Sequence, residues 1–166
     1  MTRPVATALV VAAVPLIWAL MWSGWRRRAR RQGFLPAPRR PEELELGSPT
    51  TQFEGVYVST TRHGDWLDRI AAHGLGTRSG VTVVVGTGGV VLDRGGARGI
   101  AIDRSELSGA SRATGIAGKV VEHEGLAVIT WRLGETELDS GVRLKHAQDT
   151  SRLVAAVNAL VGEVDT

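Results

Sequence analysis

The chain opens on a run without a single charged side chain, Pro4 to Trp25, PVATALVVAAVPLIWALMWSGW. A helix lying on a soluble core would show a polar stripe, and this stretch has none. Its 22 residues match the about 20 that a bilayer-crossing helix requires. Pro15 would cost about 3 kcal/mol inside a helix in water, but membrane helices tolerate it. Trp18, Trp22 and Trp25 recur at helical spacing near the end of the run, where aromatic side chains meet lipid headgroups. The pattern predicts a spanning helix.

Beyond residue 52 the pattern changes to short β-like runs with glycine between them. GVYVSTT (55–61), VTVVVG (81–86), VVLDR (90–94), RGIAID (98–103), ELSGASRA (106–113), GKVVEH (118–123), LAVITWRL (126–133) and TELDSGVRL (136–144) follow one another at the spacing of an antiparallel sandwich or barrel. In LAVITWRL the side carrying Ala127, Ile129, Trp131 and Leu133 is the better core face. DWLDRIAAHG (65–74) reads as a short helix: Trp66, Leu67, Ile70 and Ala71 share a face, Asp65 caps the start and Gly74 the end. A second helix is expected over 149–163, where Leu153, Val154, Val157, Leu160, Val161 and Val164 form one apolar stripe. Its polar face carries little positive charge, so burial against the sheet is favoured over lying on a membrane.

Charge sharpens the division. Eight of the 20 Lys and Arg precede residue 41 and none of the 17 acids does, so the remainder carries 12 basic against 17 acidic residues, a balance of −5. Arg26, Arg27, Arg28, Arg30 and Arg31 follow the apolar run directly and read as a stop-transfer cluster. The excess of arginine on that flank places the N-terminus outside and the rest in the cytoplasm, at the plasma membrane. These guanidinium groups would each gain about 1 kcal/mol from anionic headgroups. The competing use of such a run, nucleic-acid binding, is disfavoured by its position beside the apolar stretch. A cleaved signal peptide is the main rival, but its apolar region is shorter and ends in small residues. Residues 32–52 read as a linker, because Pro36, Pro38, Pro41 and Pro49 favour extended backbone. The organisation expected is an anchor with its basic flank over 1–31, the linker over 32–52 and a β domain over 53–166.

The element order resembles that of the pleckstrin-homology fold, an antiparallel barrel or sandwich closed by one C-terminal amphipathic helix. With its single predicted span and Arg-rich flank, the whole chain resembles a family of uncharacterised actinobacterial membrane proteins with a cytoplasmic PH-like domain. Some members carry the label of export or membrane protein, and some are encoded near pyrimidine-biosynthesis genes. The predicted helix at 65–74 departs from the simplest PH pattern.

Candidate chemistry is sparse. VVVGTGGVV (83–91) places Gly86 and Gly88 like a dinucleotide fingerprint, but Val91 stands where the third glycine belongs and the following residues are β-like. A hairpin turn is the better reading. His63, His73, His123 and His146 show no metal-ligand spacing; the one grouping their positions suggest is His63 with Asp65 and Asp68. Ser59, Thr60, Ser105, Ser108 and Ser111 supply hydroxyls without a nucleophile elbow. No cysteine is present, which removes disulfides, thiolate metal sites and a cysteine nucleophile. No catalytic residue, metal, small-molecule cofactor or nucleic-acid partner is expected. A PH-like fold would bind phosphates through basic residues near its first hairpin; here these are Arg62, Arg69 and Arg78, interrupted by Asp65 and Asp68. The function expected is a membrane-tethered, non-enzymatic module that binds a partner protein at the inner face of the membrane, by a sheet face or by strand addition. Recognition of anionic headgroups, or service as an accessory subunit of an export or transport complex, are the alternatives.

Overall fold

The computed structural model describes residues 13–22, 35–116, 119–120 and 125–162. The chain divides into two compact units, Met1–Phe34 and Leu35–Thr166.

In the first unit residues 13–22 form helix α1. Val14, Leu16, Ile17, Trp18, Leu20, Met21 and Trp22 are all exposed on it. Ten residues rise about 15 Å, against about 30 Å of bilayer hydrocarbon. Among the described residues no helix is long and apolar enough to cross a membrane. The rest of the expected 4–25 span lies outside the described residues, as do Trp25, Arg26, Arg27, Arg28, Arg30 and Arg31.

The second unit contains β1 (Pro49–Arg62), β2 (Asp65–Arg69), β3 (Ser79–Gly86), β4 (Gly89–Arg94), β5 (Ile100–Asp103), β6 (Leu107–Ala113), β7 (Gly115–Ile116), β8 (Lys119–Val120), β9 (Leu126–Leu133) and β10 (Thr136–Leu144), followed by α2 (Ala147–Gly162). The main sheet is antiparallel, in the order β5-β4-β3-β1-β10-β9-β6, with β2 paired to the end of β1; β7 and β8 form a separate ribbon. The 14-residue β1 serves both halves of the sheet. Pro49–Tyr57 face β3 and Gly55–Arg62 face β10, with a bulge between Tyr57 and Ser59. A bulge adds twist and helps the sheet to curl.

The curl does not close. β5 and β6 are joined only by the 3-10 turn Arg104–Glu106, yet they stand at opposite edges and share no ladder. Each edge has another partner. The Ala101 N–H donates to the Arg39 carbonyl at 2.9 Å and protects β5. On β6, the Ala110 N–H donates to Asn158 Oδ1 at 2.7 Å and Asn158 Nδ2 donates to the Ala110 carbonyl at 3.0 Å. The side-chain amide of α2 thus takes the place of a further strand. The expected barrel or sandwich closed by a C-terminal helix is corrected in its closure: the sheet is open and curled, with α2 packed against β6 and β9, where Thr150, Leu153, Val157 and Leu160 are buried.

Alternation decides the core. Ala127, Ile129, Trp131 and Leu133 point inward and join Tyr57, Val83, Val85, Leu92, Ile102, Leu138 and Val142, as the period-two pattern of β9 requires. Val58, Leu126 and Val128 form a smaller second cluster.

Two expectations fail locally. The helix expected at 65–74 is strand β2 followed by a 3-10 turn, Ala72–Gly74. The Asp65 carboxylate accepts from the N–H groups of Leu67 (3.1 Å) and Asp68 (3.2 Å) in a local turn. The Ile70 N–H donates to Thr60 O and the Thr60 N–H to Leu75 O, so this backbone pairs with β1. A ten-residue helix is marginal on its own, and tertiary pairing overrides it. The expected linker 32–52 is also, from Leu35 onward, part of the folded unit. Proline lacks a donor but keeps its carbonyl, and this stretch docks through carbonyls: Arg98 Nη2 donates to Pro38 O at 3.2 Å and the Gly88 N–H to Leu46 O at 2.9 Å.

Candidate functional site

The first feature of note is the β1–β2 hairpin. Its two-residue turn is His63-Gly64, with Gly64 at φ +77°, a conformation that glycine adopts without strain. His63 reaches across to β10. Its Nδ1 lies 2.9 and 3.1 Å from the two Asp139 carboxylate oxygens, and Nε2 lies 3.8 Å from Glu137 Oε2. The Asp139 hydrogen bond, then its charge, raises the pKa of this exposed imidazole. The His63 backbone N–H also donates to the Glu137 carbonyl at 3.0 Å.

Neither hydroxyl bonded to these carboxylates is set up for nucleophilic catalysis. Thr130 Oγ1 donates to Asp139 Oδ1 and Ser108 Oγ to Glu137 Oε1, both at 2.8 Å. A Ser-His pair needs the hydroxyl on the imidazole, and no hydroxyl bonds His63 among the described residues. The expected meeting of His63 with Asp65 and Asp68 does not occur: Asp65 caps its own turn, and Asp68 pairs with Arg62 Nε at 3.3 Å. His73 Nε2 contacts the Leu35 carbonyl at 2.9 Å, and His123 lies outside the described residues. Ser105 donates to Asp103, which lowers that carboxyl's pKa at the start of a turn. No group of His, Asp and Glu suited to a metal ion occurs among the described residues.

The apolar surface of the hairpin is more telling. Trp66 is 51% and Leu67 60% exposed. They are the only large exposed hydrophobics among the described residues of the second unit. The hairpin is anchored below them, because Ile70 and Leu75 are fully buried.

The loop that follows is fixed from inside. Arg94, 3% exposed, donates through Nη2 to Thr77 O (2.7 Å) and Gly74 O (3.0 Å) and through Nε to Ser79 Oγ (3.1 Å). Its guanidinium lies 4.1 Å from the centroid of the Tyr57 ring, within cation–π range. Burial lowers its pKa. Tyr57 donates to Leu75 O at 2.8 Å, and burial raises its pKa. Thr60 shares a 2.6 Å bond with Ser140, which accepts from Trp131 Nε1 at 2.9 Å. This network ties loop 70–78 to β1, β4 and β10. It positions the loop and offers no chemistry of its own.

Of the three arginines expected to meet a ligand, Arg62 and Arg69 stand on the β1–β2 hairpin, while Arg78 lines a cleft of about 730 Å³ on the outer face of β10, β1, β3 and β4. Arg143, Lys145, Glu54 and Asp93 share that cleft. The three arginines are therefore not one site. Arg143 at the end of β10 and Lys145 just beyond it carry no mark in the sequence other than their alternation around Leu144.

The glycines of the fingerprint-like motif have a different use. A Cβ on Gly88 would lie 2.2 Å from Glu45 O, and one on Gly86 2.5 Å from Leu46 O. They let the incoming backbone of residues 45–46 pass close over the β3–β4 turn, as a hairpin reading allows.

The second unit is thus a curled antiparallel sheet with a C-terminal helix packed on β6 and β9, carrying a surface hairpin and an outer-face cleft. The family model described as Bacterial PH domain-like matches residues 34–158, and the chain belongs to that family. PH-like domains are generally non-enzymatic interaction or lipid-binding modules. Among curated proteins none matches the chain. Of solved structures, one described as the 8S snRNP assembly intermediate is similar over 77% of this chain and 88% of its own, at 7% identity and a TM-score of 0.49. Another, the C-terminal domain of an unknown protein from Leishmania infantum, is similar over 66% and 84%, at 13% identity and a TM-score of 0.41.

Proposed function

We propose that the chain is a membrane-tethered, non-enzymatic module whose PH-like domain binds a partner protein at the inner face of the plasma membrane. The observation that carries the binding role is the exposed Trp66–Leu67 pair on an anchored hairpin. Tryptophan on a rigid support is the side chain that most often dominates protein interfaces, and water is a poor neighbour for both residues. Strand addition is the less favoured mode, because Arg39 and Asn158 already occupy backbone groups at the two sheet edges. Headgroup recognition has weaker support, since the Arg62 charge is met by Asp68. The tether rests on the uncharged run 4–25 and the arginines after it, a charge bias that favours a cytoplasmic side for the domain.

The test is co-purification of the full-length chain from detergent-solubilised membranes. A specific partner should be enriched, and the double change Trp66→Ser with Leu67→Ser should lose it while the melting temperature holds. Recovery of chaperones alone, or equal recovery with the double variant, refutes the proposal. A reporter fused after Thr166 tests the topology, and activity from the external side overturns it.

A further inference from the structure

We infer that the outer-face cleft receives an extended acidic segment of the partner protein. This rests on the interaction-module reading above and adds a place and a chemistry to it.

The cleft is built by register. Val56 of β1 faces Arg143 on one side and Gly80 on the other; Glu54 faces Thr82, which faces Asp93. Gly95 continues the first row, its N–H donating to Gly80 O at 3.1 Å. Arg143 therefore stands at one end of a row whose next places are Val56 and two glycines. Arg78, just before β3, lines the same cleft.

Neither glycine is required by the backbone. Neither has a φ in the left-handed region, and a Cβ on either would meet nothing within 4 Å. Other glycines here do have such reasons, Gly64 its positive φ and Gly88 the chain above it. At Gly80 and Gly95 the lack of a side chain leaves a strip of bare backbone, and that strip is the floor of the cleft.

The charges around it are unevenly matched. Lys145 Nζ lies 3.5 Å from Glu54 Oε2, so that pair is satisfied. Arg78 and Arg143 have no acidic partner among the described residues, and neither has Asp93. Two free guanidinium groups bordering a bare floor suit carboxylates, which each can grip with two parallel hydrogen bonds. The cleft is an open trough, whereas small-molecule sites mostly enclose their ligand. A flat anionic bilayer would stand off from a concavity and meet Glu54 and Asp93 on its rim. A peptide in extended conformation fits the trough, with acidic side chains toward Arg78 and Arg143 and a neutral or basic one toward Asp93.

The experiment uses the full-length chain in detergent micelles and three fluorescein-labelled dodecapeptides of alternating Ser-Glu, Ser-Gln and Ser-Lys. The Ser-Glu peptide should bind saturably by anisotropy, weaken as salt rises, and exceed the other two. Arg143→Glu should weaken it about tenfold or more, as should Gly80→Leu, which fills the floor. Gly80→Ser, a smaller intrusion, should have an intermediate effect and guards against misfolding of the leucine variant. Arg132→Glu, on exposed β9 surface away from the cleft, should leave binding unchanged. Equal binding of the Ser-Gln peptide, or indifference to Arg143→Glu and Gly80→Leu, overturns the inference. So does displacement by inorganic phosphate at the concentration where free Ser-Glu peptide displaces, since the arginines would then accept any anion. If the peptide fails while the Trp66/Leu67 double variant still abolishes partner recovery, the cleft assignment falls and the interaction module stands. Loss of both removes both.

Discussion

Replacing Ser140 with alanine should destabilise the folded unit by about 2–4 kcal/mol. Ser140, Thr60, Tyr57 and Trp131 are all essentially inaccessible to water. The Ser140 hydroxyl accepts from Trp131 Nε1 at 2.9 Å and shares a 2.6 Å bond with Thr60. Without it the indole N–H has no acceptor among the described residues, and a buried orphan donor costs roughly 1–3 kcal/mol. Thr60 loses one of two side-chain partners but keeps Tyr57, a loss of about 1 kcal/mol. The void left is one oxygen, too small to add much. For a unit of this size each kcal/mol lowers Tm by about 3–4 °C, so a fall of about 10 °C is expected. The assay is paired urea and thermal unfolding followed by far-UV circular dichroism, with Ser59→Ala as the opposite case. Ser59 is equally buried, but its hydroxyl has no partner among the described residues, so removing it should be neutral or stabilise by about 1 kcal/mol. A Ser140→Ala loss under about 1 kcal/mol, or a Ser59→Ala loss of similar size to it, would refute the hydrogen-bond accounting.

His63 has its pKa raised by Asp139, so its stabilising contribution is complete below the unfolded value of about 6.5 and fades as pH rises through the higher folded value. Wild type should therefore exceed His63→Gln in Tm most at acidic pH and converge with it at alkaline pH; a gap that grows with pH contradicts this sign. Gly88→Ala, whose Cβ would strike Glu45 O, should cost about 1–3 kcal/mol and speed proteolysis of residues 44–48, and an unchanged cleavage rate refutes the close-approach argument. Asn158→Ala frees the Ala110 backbone groups at the β6 edge, and light scattering should show concentration-dependent self-association; a strictly monomeric variant would mean the edge is protected by other means.

Much of the β scaffold is legible in the sequence, because period-two alternation and glycine punctuation are local signals. The inward face of LAVITWRL and the apolar stripe of the last helix follow from period alone. DWLDRIAAHG misleads because its fate is set by Thr60 and Leu75, whose backbone groups recruit it to β1. The proline-rich segment misleads because proline composition reports the lack of a ladder, while docking by carbonyls depends on distant donors such as Arg98 and Ala101. The cleft is illegible for a related reason: Gly80, Gly95 and Arg143 come together only through register across four strands. Arg94 was hidden too, since a buried guanidinium held by carbonyls leaves no mark in the chain.

Because β1 is gripped on one side by β3 and on the other by β10, the domain has no stable half. The Thr60–Ser140 bond joins residues 80 positions apart, so the first strand must wait for one of the last before its ladder is complete. During synthesis the nascent sheet exposes one flank of β1 until β10 has left the ribosome. Folding should accordingly be slow for the domain's size, and a product truncated within β9 should be prone to capture by chaperones.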